Sequence, residues 1–68
     1  MDMQVKAAVE YIVKKGIKVG VDPSGLHADV YVLTLPNGDQ YECLAAGLVK
    51  LAGTAISDDD IKAIGKKL

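Results

Sequence analysis

The fold is decided by residues 28–44, which read ADVYVLTLPNGDQYECL. Residues 28–35 are rich in valine, tyrosine and leucine, side chains that favour strands, and residues 40–44 form a second short strand pattern. Between them, a type I turn with Pro36 at its second position and Gly38 as a left-handed bulge residue avoids a hydrogen bond that proline cannot donate. The stretch therefore predicts an antiparallel hairpin.

This turn also sets the register of the hairpin, because a slip of one residue would exchange the two faces of a strand. It pairs Leu33 with Tyr41 and Tyr31 with Cys43 on one face, which we predict to be the core face. The opposite face is mixed in character, and we predict that it binds a partner through Val30, Val32, Thr34, Gln40, Glu42 and Leu44.

Upstream of the hairpin, an apolar stripe predicts a helix over residues 3–15 with Asp2 as its N-cap. Gly16 supplies a left-handed residue that ends this helix. The period then changes to the alternation of a strand over residues 17–21, followed by a turn over residues 22–25.

Downstream of the hairpin, leucines at helical spacing predict a short helix that Gly53 ends. Ser57 and Asp60 form a capping box at the start of the last helix, whose stripe is Ile61, Ile64 and Leu68. The predicted order is α-β-β-β-α-α: one α+β domain over residues 1–68, with a three-stranded antiparallel sheet packed by helices.

The composition excludes several classes of protein. Half of the 68 residues are hydrophobic and the net charge is -1, which is unlike a disordered chain. One cysteine cannot staple a miniprotein, and no apolar run approaches the length of a membrane span. We therefore expect a small soluble domain in the cytoplasm.

Groups able to carry chemistry are sparse. His27 shares one connector with Ser24 and Asp29, where a catalytic triad seldom converges, and Cys43 is a lone thiol on the predicted core face. The carboxylates of residues 58–60 point about 100° apart on a helix and cannot meet at one ion. We predict no enzyme activity, no metal, no cofactor and no small-molecule ligand.

The sequence favours a protein partner or self-association, through the mixed sheet face, the first helix or the edge strand at residues 17–21, which Lys18 alone guards. The alternative is weak nucleic-acid binding through Lys14, Lys15, Lys18 and Lys50. The element order resembles the double-stranded-RNA-binding domain in topology only, since that family has lysines where residues 57–60 here read SDDD. The absence of arginine also argues against nucleic acid.

Overall fold

The computed structural model describes residues 3–21 and 29–68, so the predicted cap at Asp2 and the predicted turn at residues 22–25 lie outside the described residues. The α+β class is confirmed, and the first six elements follow the predicted order α-β-β-β-α-α. The elements within these residues are α1 (Met3–Lys14), β1 (Lys18–Val21), β2 (Val30–Thr34), β3 (Gln40–Leu44), α2 (Ala45–Ala52), α3 (Asp58–Ile64) and β4 (Lys66–Lys67).

The hairpin has the predicted turn and register. The amide of Gly38 donates to the Leu35 carbonyl at 2.9 Å, and the amide of Leu35 donates to the Asp39 carbonyl at 2.9 Å. Gly38 has φ 93°, the left-handed conformation expected of the bulge residue. Consequently Leu33 lies opposite Tyr41, and the two strands present the predicted faces.

The predicted number of strands is wrong, because the described sheet has four strands in the order β1-β2-β3-β4. Lys66 lies opposite Glu42, and the amide of Leu68 donates to the Gln40 carbonyl at 3.0 Å, so Leu68 follows a strand and is not helical. The helix ends before Gly65, whose backbone is extended at φ -96° and ψ 168°. A Cβ on Gly65 would lie 3.3 Å from the Glu42 carbonyl oxygen, so glycine permits this close approach to β3.

The three helices form one layer on one face of the sheet. In this layer α1 packs on α2 and contacts β1, whereas α3 packs on the other side of α2 and contacts β3 and β4. The core lies between the helices and the sheet and consists of Val5, Ala8, Ile12, Ile17, Leu33, Leu35, Tyr41, Cys43, Leu48, Leu51, Ile56 and Ile61.

A glycine inside α2 allows the helix to approach the sheet and α3. Glycine in a helix interior costs about 1 kcal/mol relative to alanine, so propensity alone disfavours Gly47. A Cβ there would lie 3.2 Å from Cβ of Cys43 and 3.2 Å from Cγ2 of Ile64. These contacts explain why the helix carries a glycine at this position.

The capping box of α3 is formed as predicted. The amide of Asp60 donates to Oγ of Ser57 at 3.2 Å, and the Ser57 amide and hydroxyl donate to Oδ2 of Asp60 at 3.1 and 2.9 Å. Hydrogen bonds from the Ser57 backbone and then from its side chain lower the pKa of Asp60. Ile56 before the cap and Ile61 in the helix are both buried, the arrangement of a hydrophobic staple.

The variant Ser57→Ala is expected to lower the free energy of unfolding by about 1 kcal/mol at neutral pH, because it removes the hydroxyl of the cap. Since the pKa of Asp60 is lowered by folding, its contribution is full above the unfolded pKa of about 3.9 and is lost as the pH falls through the folded pKa. The difference in the free energy of unfolding between the wild type and Ser57→Ala should therefore become smaller as the pH is lowered. Urea unfolding at several pH values measures it, and equal stability at neutral pH would contradict the cap.

The variant Gly16→Val is expected to lower the free energy of unfolding by more than about 1 kcal/mol, because Gly16 has φ 88° and a branched side chain is strained there. Gly20→Val is the matched control. Gly20 lies in β1 with a negative φ, and a Cβ there meets nothing within 4 Å. Thermal unfolding of both variants checks the difference, and equal losses would show that backbone strain is not the cause.

Candidate protein-binding face

The second face of the sheet carries no helix among the described residues. Alternation along β2 and β3 places on it the six residues predicted to bind a partner, and all six are half-buried or exposed. We call this surface the open face and define it by Val30, Val32, Thr34, Gln40, Glu42 and Leu44. The structure brings these residues together on one surface.

The edge strands extend the open face on both sides. Lys18 lies opposite Thr34, and Gly20 lies opposite Val32, so both belong to this face of β1. On the other edge Lys66 lies opposite Glu42. The sequence assigned Lys66 to a helix and therefore missed it, although the glycine just before it was a signal that the helix ends.

The apolar part of the open face is concentrated at one end of the hairpin. Val30 lies opposite Leu44, and Leu44 is 59% exposed. Val32 continues the apolar surface toward Gly20, which has no side chain to cover it. At the other end Nε2 of Gln40 donates to Oγ1 of Thr34 at 3.2 Å, so that end is polar.

Two shallow grooves continue from Leu44 along α3. One, of about 280 Å³, lies between the open face and the end of α3, and it is bordered by Glu42 and Lys66. The other, of about 310 Å³, lies between α2 and α3, and Lys50 borders it. Leu44 and Ile64 line both grooves, so the apolar surface continues around the edge of β3.

Leucine is an unfavourable residue type at the position that Leu44 occupies. It is the N-cap of α2, with φ -83° and ψ 168°, and its side chain makes no capping hydrogen bond. Serine, threonine, asparagine or aspartate is preferred at such a position, by about 1 kcal/mol over an apolar residue. Leu44 is thus a large, mostly exposed apolar side chain where the helix favours a small polar one.

Among residues 3–21 and 29–68, the side chains that could act in catalysis or bind a metal ion do not form a cluster. Burial raises the pKa of the Cys43 thiol, which disfavours the reactive thiolate. No group of three or more histidine, cysteine, aspartate or glutamate side chains in this part of the chain is placed to hold a metal ion. Asp29 is exposed, whereas Ser24 and His27 lie outside the described residues.

The lysines proposed for nucleic-acid binding lie on three different elements or at their ends. Lys14 and Lys15 lie at the end of α1, where Nζ of Lys15 is 5.5 Å from the centre of the Tyr11 ring. Lys18 belongs to the open face, and Lys50 borders the groove between α2 and α3. Lys14 and Lys15 thus lie at the end of α1, whereas Lys18 and Lys50 flank the open face and the groove that continues from it.

Comparisons with models of protein families, with curated protein sequences and with solved structures gave no match to this chain. Among the helices in the described parts of the chain, none has both the length and the apolar character needed to cross a membrane. The function must therefore be inferred from the residues of the chain itself.

Proposed function

We propose that this chain is a small non-catalytic protein–protein interaction domain that binds its partner on the open face. The observation that carries this proposal is Leu44, a leucine that is 59% exposed at an N-cap position where it leaves the helix uncapped. Local departures from the preferred residue are concentrated at functional sites, where another requirement outweighs stability. The requirement proposed here is apolar contact with a partner.

The charges around the open face define the chemistry of that partner. Lys18 and Lys66 flank the face on its two edge strands, and Lys50 borders the groove that continues from it. Glu42 is the one acidic side chain on the face, and it lies opposite Lys66. The partner that fits is a protein segment with an apolar stripe flanked by acidic residues.

The unpaired thiol of Cys43 suits a reducing compartment, so we place this interaction in the cytoplasm. A free cysteine on the core face would be exposed to pairing during folding in an oxidising compartment. In the folded chain the Cys43 side chain is buried, and it packs from β3 against Gly47 of α2.

Selection of peptides from a random display library on the full chain tests the proposal. We expect enriched peptides that combine apolar and acidic residues, and a synthetic copy should shift the amide resonances of the open face in NMR spectra. Lys66→Glu should weaken the binding of that peptide, whereas Lys62→Glu, an exposed position on α3, is the matched control.

The proposal fails if no peptide is enriched, or if the enriched peptides shift resonances elsewhere. It also fails if both charge reversals weaken binding equally, because the attraction is then unspecific. Titration with a short duplex RNA is the companion measurement. Binding of RNA through Lys14 and Lys15, with the open face unaffected, would favour the nucleic-acid alternative instead.

A further inference from the structure

A strip of valines lies on the side of the domain that holds β1. Ala7 and Tyr11 line the groove between α1 and α2. Val9 and Val13 are each two residues from Tyr11, which places them roughly 160° around the helix from it, away from α2. Val9 is half-buried and Val13 is 51% exposed.

The edge strand beneath α1 continues this strip. Val19 and Val21 lie opposite Leu33 and Tyr31, so they belong to the helix-bearing face of the sheet. Val21 is 68% exposed. We call the combined surface the valine edge and define it by Val9, Val13, Val19 and Val21.

The two edges of the sheet differ in how they are protected. Strand β4 consists of Lys66 and Lys67, and lysines on an edge strand discourage pairing with another chain. Strand β1 has one lysine, Lys18, and pairs within the described sheet with β2 alone. No strand of residues 3–21 and 29–68 pairs with its outer side, so the backbone groups there can pair with a further strand.

We infer that a second copy of this chain binds the valine edge, with the two β1 strands paired antiparallel about a twofold axis perpendicular to the sheet. With Val19 opposite Val19 of the second copy, Lys18 lies opposite Gly20, so no like charges face each other. Parallel pairing would instead place the Lys18 side chains of both copies side by side. The antiparallel arrangement makes one continuous sheet from two sheets of four strands.

The charges on α1 fit the same arrangement. A twofold axis perpendicular to the sheet makes the two α1 helices antiparallel, and Val9 can then oppose Val13 of the second copy. In that alignment Glu10 of each copy comes within one helical turn of Lys14 of the other. Both side chains are exposed in the single chain, and their opposite charges pair reciprocally.

This inference does not rest on the proposed function, because the valine edge and the apolar end of the open face are different surfaces. The two are nevertheless compatible. Under the twofold axis the open faces of both copies point to the same side of the joined sheet. A dimer would thus present two binding faces side by side.

Sedimentation equilibrium of the full chain over a wide range of concentrations tests the inference. We expect the mass of two chains, and we expect Val13→Lys and Val21→Lys each to shift the protein to monomer with an unchanged circular-dichroism spectrum. Leu44→Asp, on the open face, should remain a dimer and thereby separates this test from that of the proposed function. A wild-type monomer at every concentration, or a dimer that survives both lysine variants, overturns the inference.

Charge exchange tests the alignment of the helices. Glu10→Lys and Lys14→Glu should each weaken the dimer, and the double variant should restore it because the reciprocal pairs are rebuilt. A double variant that stays as weak as the single ones would overturn the antiparallel arrangement of α1.

Discussion

Leu48→Ala is expected to lower the free energy of unfolding by about 2–5 kcal/mol, because Leu48 is fully buried in α2 and its removal leaves a cavity. The core around it contains neither tryptophan nor phenylalanine and is built mainly from aliphatic side chains. The core of so small a domain rarely contributes more than about 3–5 kcal/mol of net stability. We therefore expect much of the variant to be unfolded at room temperature.

The matched control is Leu44→Ala, which makes the same substitution one helical turn earlier. Leu44 is mostly exposed, so the loss should be below about 1 kcal/mol. Urea unfolding followed by circular dichroism measures both variants. Similar losses in the two would mean that the open face is part of the core, which would contradict the assignment of the two sheet faces.

The second large effect is expected on binding. Leu44→Asp should lower the affinity for a peptide selected on the open face by about tenfold or more. The substitution removes the most exposed apolar side chain of the open face, and it adds a negative charge that faces the acidic residues of the peptide. An apolar replacement, Leu44→Met, should retain most of the affinity. Isothermal titration calorimetry with the same peptide checks the two variants, and equal affinities would contradict the role of Leu44.

Much of the hairpin could be predicted from sequence because its determinants are local. Pro36 cannot donate a hydrogen bond and Gly38 accepts a left-handed conformation, so the turn, the register and the two faces follow together. The capping box of Ser57 and Asp60 is equally local, and it formed as predicted. Such signals depend on a few adjacent residues and on no distant contact.

The fourth strand could not be predicted because its determinants are distant in the sequence. Leu68 continues the apolar stripe of Ile61 and Ile64, which resembles a helix, and only the pairing of this segment with β3 removes it from the helix. The close approach of Gly65 to Glu42 is likewise visible only once the chain has folded. The position of Lys66 beside the open face, opposite Glu42, is also visible only in the folded chain.

The candidate site was predicted from the alternation of side chains along two strands, and the structure places those six residues on the sheet face that no helix of residues 3–21 and 29–68 covers. The uncapped position of Leu44 was not predicted, since it depends on the backbone conformation at the exact residue where α2 begins. Gly20, which lies opposite Val32 and has no side chain to cover it, is also recognised only from the pairing of β1 with β2.

In this proposal the open face is kept apolar because it binds a partner. The most direct test of the proposal measures two quantities on the same samples of Leu44→Asp, the free energy of unfolding and the affinity for the selected peptide. A capping aspartate contributes about 1 kcal/mol, which offsets the partial burial that leucine loses. We predict a free energy of unfolding within about 1 kcal/mol of the wild type together with a loss of binding of about tenfold or more. A stability loss in the range of Leu48→Ala, or unchanged binding, would contradict the proposal.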